Sequence, residues 1–401
     1  MRILHLCDSM NPSGLGGYES YLHYLSAQLA SADHESIIVT QSPARNSPRE
    51  LQHEHYMLYH LRGNLLEARK WEYYAMPEDA RSVAASKLFK LNDVAKNVLL
   101  LTKELKKLIE NHRPDIIHAH STYVVLNRVL TRLTRDSDLD VPSIVTIHGL
   151  PKPLILPSGK KTTDYNELVS AFPFKLALGV SEAVSQALRK HLEPSKLESL
   201  VRTEYLGVNM SLFKPRPNLE KRWDVAFMGR LEEMKSVDLF PKMLALLKST
   251  HPDLKMMLTG DGSLKTRLLE DIEQLGVESL VEYRGVVETE RVPELINQSR
   301  VFLYPSRREP FGLSIVESMA CGVPVVTTGV FGPSEIVRHE WDGYIVPVDD
   351  VQALAEAIET LLSDASLRLR LGRNAVNTVK KRFDIRLHAK RLMSIYREVL
   401  A

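Results

Sequence analysis

The chain has 401 residues, 52 of them basic and 50 acidic, and a formal net charge of +2 gives no electrostatic footing for nucleic acid. Hydrophobic residues make up 44% and charged residues 25%, as in a folded chain with sizeable cores, and no apolar run nears the ~20 residues that span a bilayer. The two cysteines, Cys7 and Cys321, lie far apart and in no metal-ligand spacing, which excludes a disulfide framework and points to a reducing, cytoplasmic setting.

Met1 leads directly into a strand pattern, so no secretory leader is expected. Short apolar runs at 3–7, 36–40, 115–118, 143–148 and 176–180 read as strands in the first half. Between them, 94–110 carries apolar residues at the helical period, whereas 42–85 is aromatic and without obvious period. That zone reads as a packed excursion, or as an acceptor-side wall. Around 209–221 the stretch Phe213-Lys214-Pro215-Arg216-Pro217-Asn218 has two prolines and no periodicity, as a linker should. Beyond it, strands are expected at 224–228, 255–259, 281–283, 301–304, 323–327 and 343–346, with a helix over 237–248. Near-continuous apolar strands alternating with helices predict an α/β chain of two doubly wound parallel sheets, one over 1–209 and one over 210–384. The helix over 385–401 is expected to pack back on the first.

Three segments carry chemistry. Pro12-Ser13-Gly14-Leu15-Gly16-Gly17-Tyr18-Glu19 follows the first strand, where glycines and a helix N-terminus either admit a phosphate or form a bare turn. It is not a dinucleotide fingerprint, because Glu19 stands where the third glycine belongs. Gly229-Arg230-Leu231-Glu232-Glu233-Met234-Lys235 follows the first strand of the second half, and Arg230 and Lys235 can converge there on one anion. The third runs from Tyr304 through Glu309-Pro310-Phe311-Gly312-Leu313 to Glu317. Glu309 lies in a loop after a strand and Glu317 in the next helix, eight residues on. Carboxylates there suit hydroxyl-rich partners, and the amides around Phe311, Gly312 and Leu313 suit anionic oxygens. Asp136-Ser137-Asp138-Leu139-Asp140 offers a metal-binding alternative, but precedes a strand rather than following one and reads as a solvated loop. No metal ligand is assigned.

The stretch from Glu309 to Glu317 resembles the EX7E signature of retaining, GT-B-fold glycosyltransferases of family 4. Gly16-Gly17-Tyr18-Glu19, His118-Ala119-His120, Thr146-Ile147-His148-Gly149, Gly229-Arg230 with Lys235, Gly260-Asp261-Gly262 and Cys321-Gly322-Val323-Pro324 occur in that family's order. The resemblance implies two Rossmann-like domains facing a central cleft. It implies that Arg230 and Lys235 grip the donor diphosphate, Glu309 holds the donor sugar and Glu317 anchors the ribose. Gly16 and Gly17 would close over the diphosphate, and the base would lie near Gly285 and Val286. His120 and His148 both fall at active-site histidine positions, while His118 belongs to its strand. Met234, Ser236 and the altered glycines at 329–335 depart from the family pattern.

The implied activity is metal-independent, retaining transfer of a sugar from a nucleotide-diphosphate donor, a UDP-sugar foremost, to an acceptor hydroxyl. No cofactor is expected. The acceptor class stays open among saccharides, lipid-linked sugars and small metabolites. The basic helix over 87–107 reads either as an ordinary helix with its apolar face packed and its basic face solvated or as a peripheral contact with an anionic membrane. Competing readings are a sugar-nucleotide epimerase or phosphorylase on the same fold, or a silent sugar-nucleotide-binding protein.

Overall fold

The computed structural model describes residues 1–7, 10, 17–41, 48–61, 91–120, 124–136, 140–155, 161–170, 172–195 and 197–401. The chain divides into two compact units. Met1–Pro12, Leu22–Glu204 and Ala389–Ala401 form the first; Ser13–Tyr21 and Tyr205–His388 form the second.

The first unit is built on β1 (Arg2–Leu6), β2 (Glu35–Gln41), β3 (Glu50–Gln52), β4 (Tyr56–Leu61), β5 (Ile116–Ala119), β6 (Ser143–Ile147), β9 (Leu176–Gly179) and β10 (Val201–Thr203). They form one sheet in the order β10-β9-β6-β5-β1-β2-β4-β3, in which β3 against β4 is the antiparallel pair. A separate hairpin pairs β7 (Pro153–Ile155) with β8 (Lys161–Thr163). Ile3, Leu4 and Leu6 on β1 are all buried, the mark of a parallel strand covered on both faces. Helices α1 (Gly17–Ala30), whose residues from Leu22 onward belong to this unit, α2 (Leu91–His112), α3 (Val124–Asp136), α4 (Asp164–Ser170) and α5 (Glu182–Leu192) alternate with the strands. Chain order runs one way from β1 to β2 and β4 and the other way from β5 onward, so β1 and β5 flank the switch point of the sheet.

The zone 42–85, read as an irregular excursion, instead supplies two strands of this sheet. β4 pairs in parallel with β2 from Ser36 opposite Tyr56 to Gln41 opposite Leu61. Its sequence, Tyr-Met-Leu-Tyr-His-Leu, hides the strand period because five of the six side chains are buried. Residues 62–85, with Trp71, Tyr73 and Tyr74, lie outside the described residues, as do 137–139 of the aspartate run.

The second unit is a six-stranded parallel sheet: β11 (Trp223–Met228), β12 (Met256–Thr259), β13 (Val281–Tyr283), β14 (Ser299–Tyr304), β15 (Val325–Thr328) and β16 (Gly343–Val346). The order β13-β12-β11-β14-β15-β16 puts its switch point between β11 and β14. The helices are α6 (Phe240–Lys248), α7 (Lys265–Gln274), α8 (Val292–Asn297), α9 (Leu313–Ala320), α10 (Phe331–Ile336), α11 (Val351–Ser363), α12 (Ala365–Arg382) and α13 (Ile385–Leu400). The helix expected over 237–248 begins as a 3₁₀ turn, Val237–Leu239, before α6. Pro241 explains the delay, since a residue without an N–H fits the first α-helical turn but not an interior one.

The residues of α13 are shared between the units. In the second, the Ile385 amide donates to the Val208 carbonyl at 3.0 Å, and a Cβ on Gly207 would lie 2.5 Å from the Ile385 Cα. In the first, Arg391 Nε donates to Glu204 Oε1 at 2.8 Å and Arg202 Nη1 to Glu398 Oε2 at 2.7 Å. Among the described residues, no helix is long and apolar enough to cross a membrane.

Candidate active site

At the switch point of the second unit, the loops after β11 and β14 bring Lys235 and Glu309 together from 74 residues apart. The Lys235 ammonium donates to Glu309 Oε2, and also to the Tyr304 hydroxyl at 2.6 Å. Tyr304 in turn donates to the same Glu309 oxygen at 3.0 Å. Both charged side chains are buried, at 8% and 11% exposure. Burial favours the neutral amine, but the Tyr304 and Glu309 oxygens outweigh it and hold Lys235 above the ordinary lysine value. Burial beside Glu309 pushes the Tyr304 phenol up to about 12. Lys235 is therefore a fixed cation with three donors, two of them committed to these oxygens.

A cluster of contacts fixes this pair. Arg307 Nη1 and Nη2 donate to Asp238 Oδ1 and Oδ2 at 2.7 and 2.8 Å, and its Nε donates to Asp349 at 2.6 Å. Nη1 also reaches the Glu233 carbonyl at 2.8 Å, and the Arg307 amide donates to the Met234 carbonyl at 2.9 Å. The short 3₁₀ turn that carries Lys235, Glu233–Lys235, is thus tied to the loop that carries Glu309. Partial burial opposes the Asp238 carboxylate, yet the Arg307 bonds hold it below the usual range. Ser236, just after Lys235, has φ 54°, an unusual left-handed conformation for a residue other than glycine. Gly332 backs the Glu309 loop: its amide donates to the Glu309 carbonyl at 3.2 Å, and a Cβ there would lie 2.5 Å from the Phe311 Cα.

Arg230 is exposed at the mouth of the β11 loop, its Nη2 3.5 Å from the Met234 sulfur, and it makes no ion pair among the described residues. That loop is braced by its neighbour after β12. The Leu231 amide donates to the Asp261 carbonyl at 2.9 Å, and a Cβ on Gly260, where φ is 124°, would lie 1.8 Å from the Gly229 carbonyl oxygen. Only glycine allows that approach. The Gly260 amide reaches the Gly285 carbonyl at 2.8 Å, so the loop after β13 joins the same edge, with Val286 58% exposed.

Gly312, at φ 101°, precedes α9, whose first turn presents Leu313. Phe311 is buried edge-to-face against Phe383, leaving the backbone of its loop as the polar feature. Glu317 on α9 is partly covered, and burial pushes its carboxyl up to about 7. No hydrogen bond joins Arg230 or Glu317 to the Lys235–Glu309 pair among the described residues. A Cβ on Gly17, grouped with this unit, would sit 3.6 Å from Leu313 Cδ2, which puts the start of α1 beside the start of α9. Gly16 lies outside the described residues.

The first unit gathers four histidines at its own switch point. His5 on β1 lies opposite His118 on β5, and His120 follows directly after β5. His5 Nδ1 meets His120 Nε2 at 3.0 Å, and His120 Nδ1 meets His148 Nε2 at 3.4 Å. His118 is bound on both sides, Nδ1 to the Tyr396 hydroxyl at 2.6 Å and Nε2 to the Thr146 hydroxyl at 2.7 Å. Burial pushes the His5 imidazole down to about 3, so it is neutral. Ligand atoms of His5, His118 and His120 lie within 4.8 Å of one another, close enough for one metal ion. Both ring nitrogens of His118 and of His120 are already in the hydrogen bonds above, so an ion would have to displace them.

Sequence reasoning assigned no role to Tyr304, Arg307 or His5. Tyr304 looks like an ordinary strand aromatic and His5 like a core residue. The signal for Arg307 is its place two residues before Glu309, after a strand that borders the switch point.

A family model described as Glycosyltransferase Family 4 matches residues 15–209, and one described as Glycosyl transferases group 1 matches residues 210–378. A glycogen synthase of Mycobacterium tuberculosis is 24% identical over 404 residues, spanning 99% of this chain and 94% of that protein. Among solved structures, sucrose-phosphate synthase from Thermosynechococcus elongatus aligns with a TM-score of 0.77 at 20% identity, over 100% of this chain and 99% of the other. HepE from Anabaena, in complex with UDP and glucose, aligns with a TM-score of 0.70 at 20% identity, over 99% of this chain and 100% of the other. These likenesses share the GT-B fold. With its switch-point loops and both family matches, the chain belongs to the group 1, family 4 glycosyltransferases.

Proposed function

We propose that this glycosyltransferase moves a sugar from a nucleotide-diphosphate donor, UDP-linked foremost, to an acceptor hydroxyl with retention and without a metal. The observation that carries the reading is the buried Lys235–Glu309 pair at the sheet's switch point, with Arg230 exposed on the same loop as Lys235. Lys235 offers its remaining N–H, and Arg230 its guanidinium, to the diphosphate. Their stabilisation grows as charge develops on the leaving group, an effect worth ~3–4 kcal/mol per donor. Glu309 holds the donor sugar, Glu317 the ribose, Gly285 and Val286 the base, and the amides of Gly312 and Leu313 with Gly16 and Gly17 the diphosphate. By the family resemblance, His120 and His148 are the candidate active-site histidines. The bond from the anomeric carbon to phosphate breaks as the bond to the acceptor oxygen forms on the same face, and the leaving phosphate oxygen takes the acceptor proton.

UDP as the nucleotide is supported by the HepE structure, which contains UDP and glucose at 20% identity to this chain. The exposed Leu99 and Leu100 on α2, with Lys103, Lys106 and Lys107 on the same helix, support contact with an anionic bilayer as part of this reading. A release assay across UDP-, GDP- and ADP-sugars, followed by an acceptor screen and assignment of the product's anomeric configuration, tests the proposal. An inverted product, activity abolished by a chelator, or donor turnover that leaves no transferred sugar would each overturn it.

A further inference from the structure

We propose that His5, buried on β1, is a positioning residue that sets the tautomer of His148 through His120. The inference rests on the reading of His148 as an active-site group. A neutral imidazole donates from one nitrogen and accepts at the other, so in a row of rings each choice dictates the next. Here the row is Ser36, His5, His120 and His148. The Ser36 hydroxyl lies 3.5 Å from His5 Nε2, His5 Nδ1 is 3.0 Å from His120 Nε2, and His120 Nδ1 is 3.4 Å from His148 Nε2.

Two arrangements satisfy every link. In one, each ring carries its proton on Nδ1: His5 donates to His120, His120 donates to His148, and Ser36 donates to His5. In the other, each carries it on Nε2, and the donors run inward from His148 to the Ser36 oxygen. His148 Nδ1 is a donor in the first arrangement and an acceptor in the second. His5, Ser36 and His120 are all buried, at no more than 2% exposure, so solvent does not reset the inner members one at a time. The proton position on His148 is thereby coupled, through His120, to the one on His5. His118 is outside this row, tied instead to Tyr396 and Thr146.

Two-bond proton–nitrogen correlation spectra of the full-length protein, with ¹⁵N-labelled histidine, test this directly. The wild type should show His5, His120 and His148 in one shared tautomer. In His5→Phe, which keeps an aromatic ring in place of the imidazole, the His148 nitrogen shifts should move toward a tautomer average while those of His118 stay put. In Ser36→Ala the inner end loses both the donor of the first arrangement and the acceptor of the second, so the balance between the two, and with it the His148 nitrogen shifts, should change. This second variant decides the matter if His5→Phe disturbs the His118 signals. Unchanged His148 shifts in both variants, with His118 intact, overturn the proposal. The spectra need neither donor nor acceptor, so they are independent of the functional reading. Full transfer by His148→Ala would instead remove His148 from the active site and leave the coupling standing.

Discussion

Arg307 and Asp238 meet fork to fork, two parallel N–H···O bonds of 2.7 and 2.8 Å, and the same guanidinium caps the carbonyl of Glu233 two residues before Lys235. The pair is only partly buried, so its stabilisation is modest, but its geometric effect falls on the ammonium. Arg307→Ala is expected to cost roughly 1–2 kcal/mol, a Tm decrease of about 2–8 °C by scanning calorimetry. Arg307→Ala should also weaken nucleotide-diphosphate binding in an equilibrium measurement, and Arg307→Lys, a point charge without the fork, should restore less than half of that loss.

Lys235 and Arg230 should separate stability from chemistry. Lys235→Ala strands a buried carboxylate, and unfolding by urea should show a loss of about 3–5 kcal/mol as well as loss of transfer. Lys235→Met combined with Glu309→Gln should recover much of the stability and none of the activity. Arg230→Ala removes an exposed side chain, so stability should stay within about 0.5 kcal/mol while transfer falls at least ~100-fold. Near-normal turnover in Arg230→Ala would remove it from the diphosphate site.

Glu317 makes the fold sensitive to pH. Its carboxyl has a pKa of about 7 when buried against an ordinary 4.5, so between those values the folded chain keeps a proton that the unfolded chain has released. The unfolded state then binds fewer protons, and stability declines as pH rises through this window. Glu317→Gln mimics the protonated form, so its Tm should exceed that of the wild type above pH 7 and the difference should vanish near pH 4.5. A Tm–pH curve identical to that of the wild type would contradict this.

Gly332→Ala forces a methyl against the Phe311 Cα and the Pro310 carbonyl, both 2.5 Å away, so the Glu309 loop must move. A cost of about 1–3 kcal/mol is expected, with KM for the donor rising several-fold while the Phe311–Phe383 packing keeps the unit folded. Equilibrium binding of nucleotide diphosphate measures the same shift without an acceptor.

Sedimentation with vesicles tests the α2 surface. Protein should pellet with vesicles rich in anionic lipid, release at high salt, and lose binding in the Leu99→Ser, Leu100→Ser double variant. Equal pelleting with neutral vesicles would dismiss the electrostatic part.

The strands that were easiest to read were those with a continuous apolar run between breakers, such as β1, β11 and β14. β10, with the sequence Val-Arg-Thr, is three residues long and stood out from no window, and β4 was lost among aromatics because burial on both faces erased its alternation. In the site, spacing identified Lys235 and Glu309 separately. Their ion pair depends on β11 and β14 being neighbours in the sheet, which local sequence does not encode. His5 was invisible for the same reason: it acquires partners from the register of β1 against β5. Arg307 stands in a polar loop, and Asp238 and Asp349, which bind it, lie 69 and 42 residues away, so no local pattern announces it.

The sharing of α13 between the units bears on how the protein comes into being. Residues Tyr205–His388 are complete before the last turns of the chain emerge, whereas the first unit waits for Ala389–Ala401 to supply the Tyr396 hydroxyl to His118 and Arg391 to Glu204. The portion synthesised first is finished last. During translation the first unit lacks those anchors until the segment after His388 has left the ribosome.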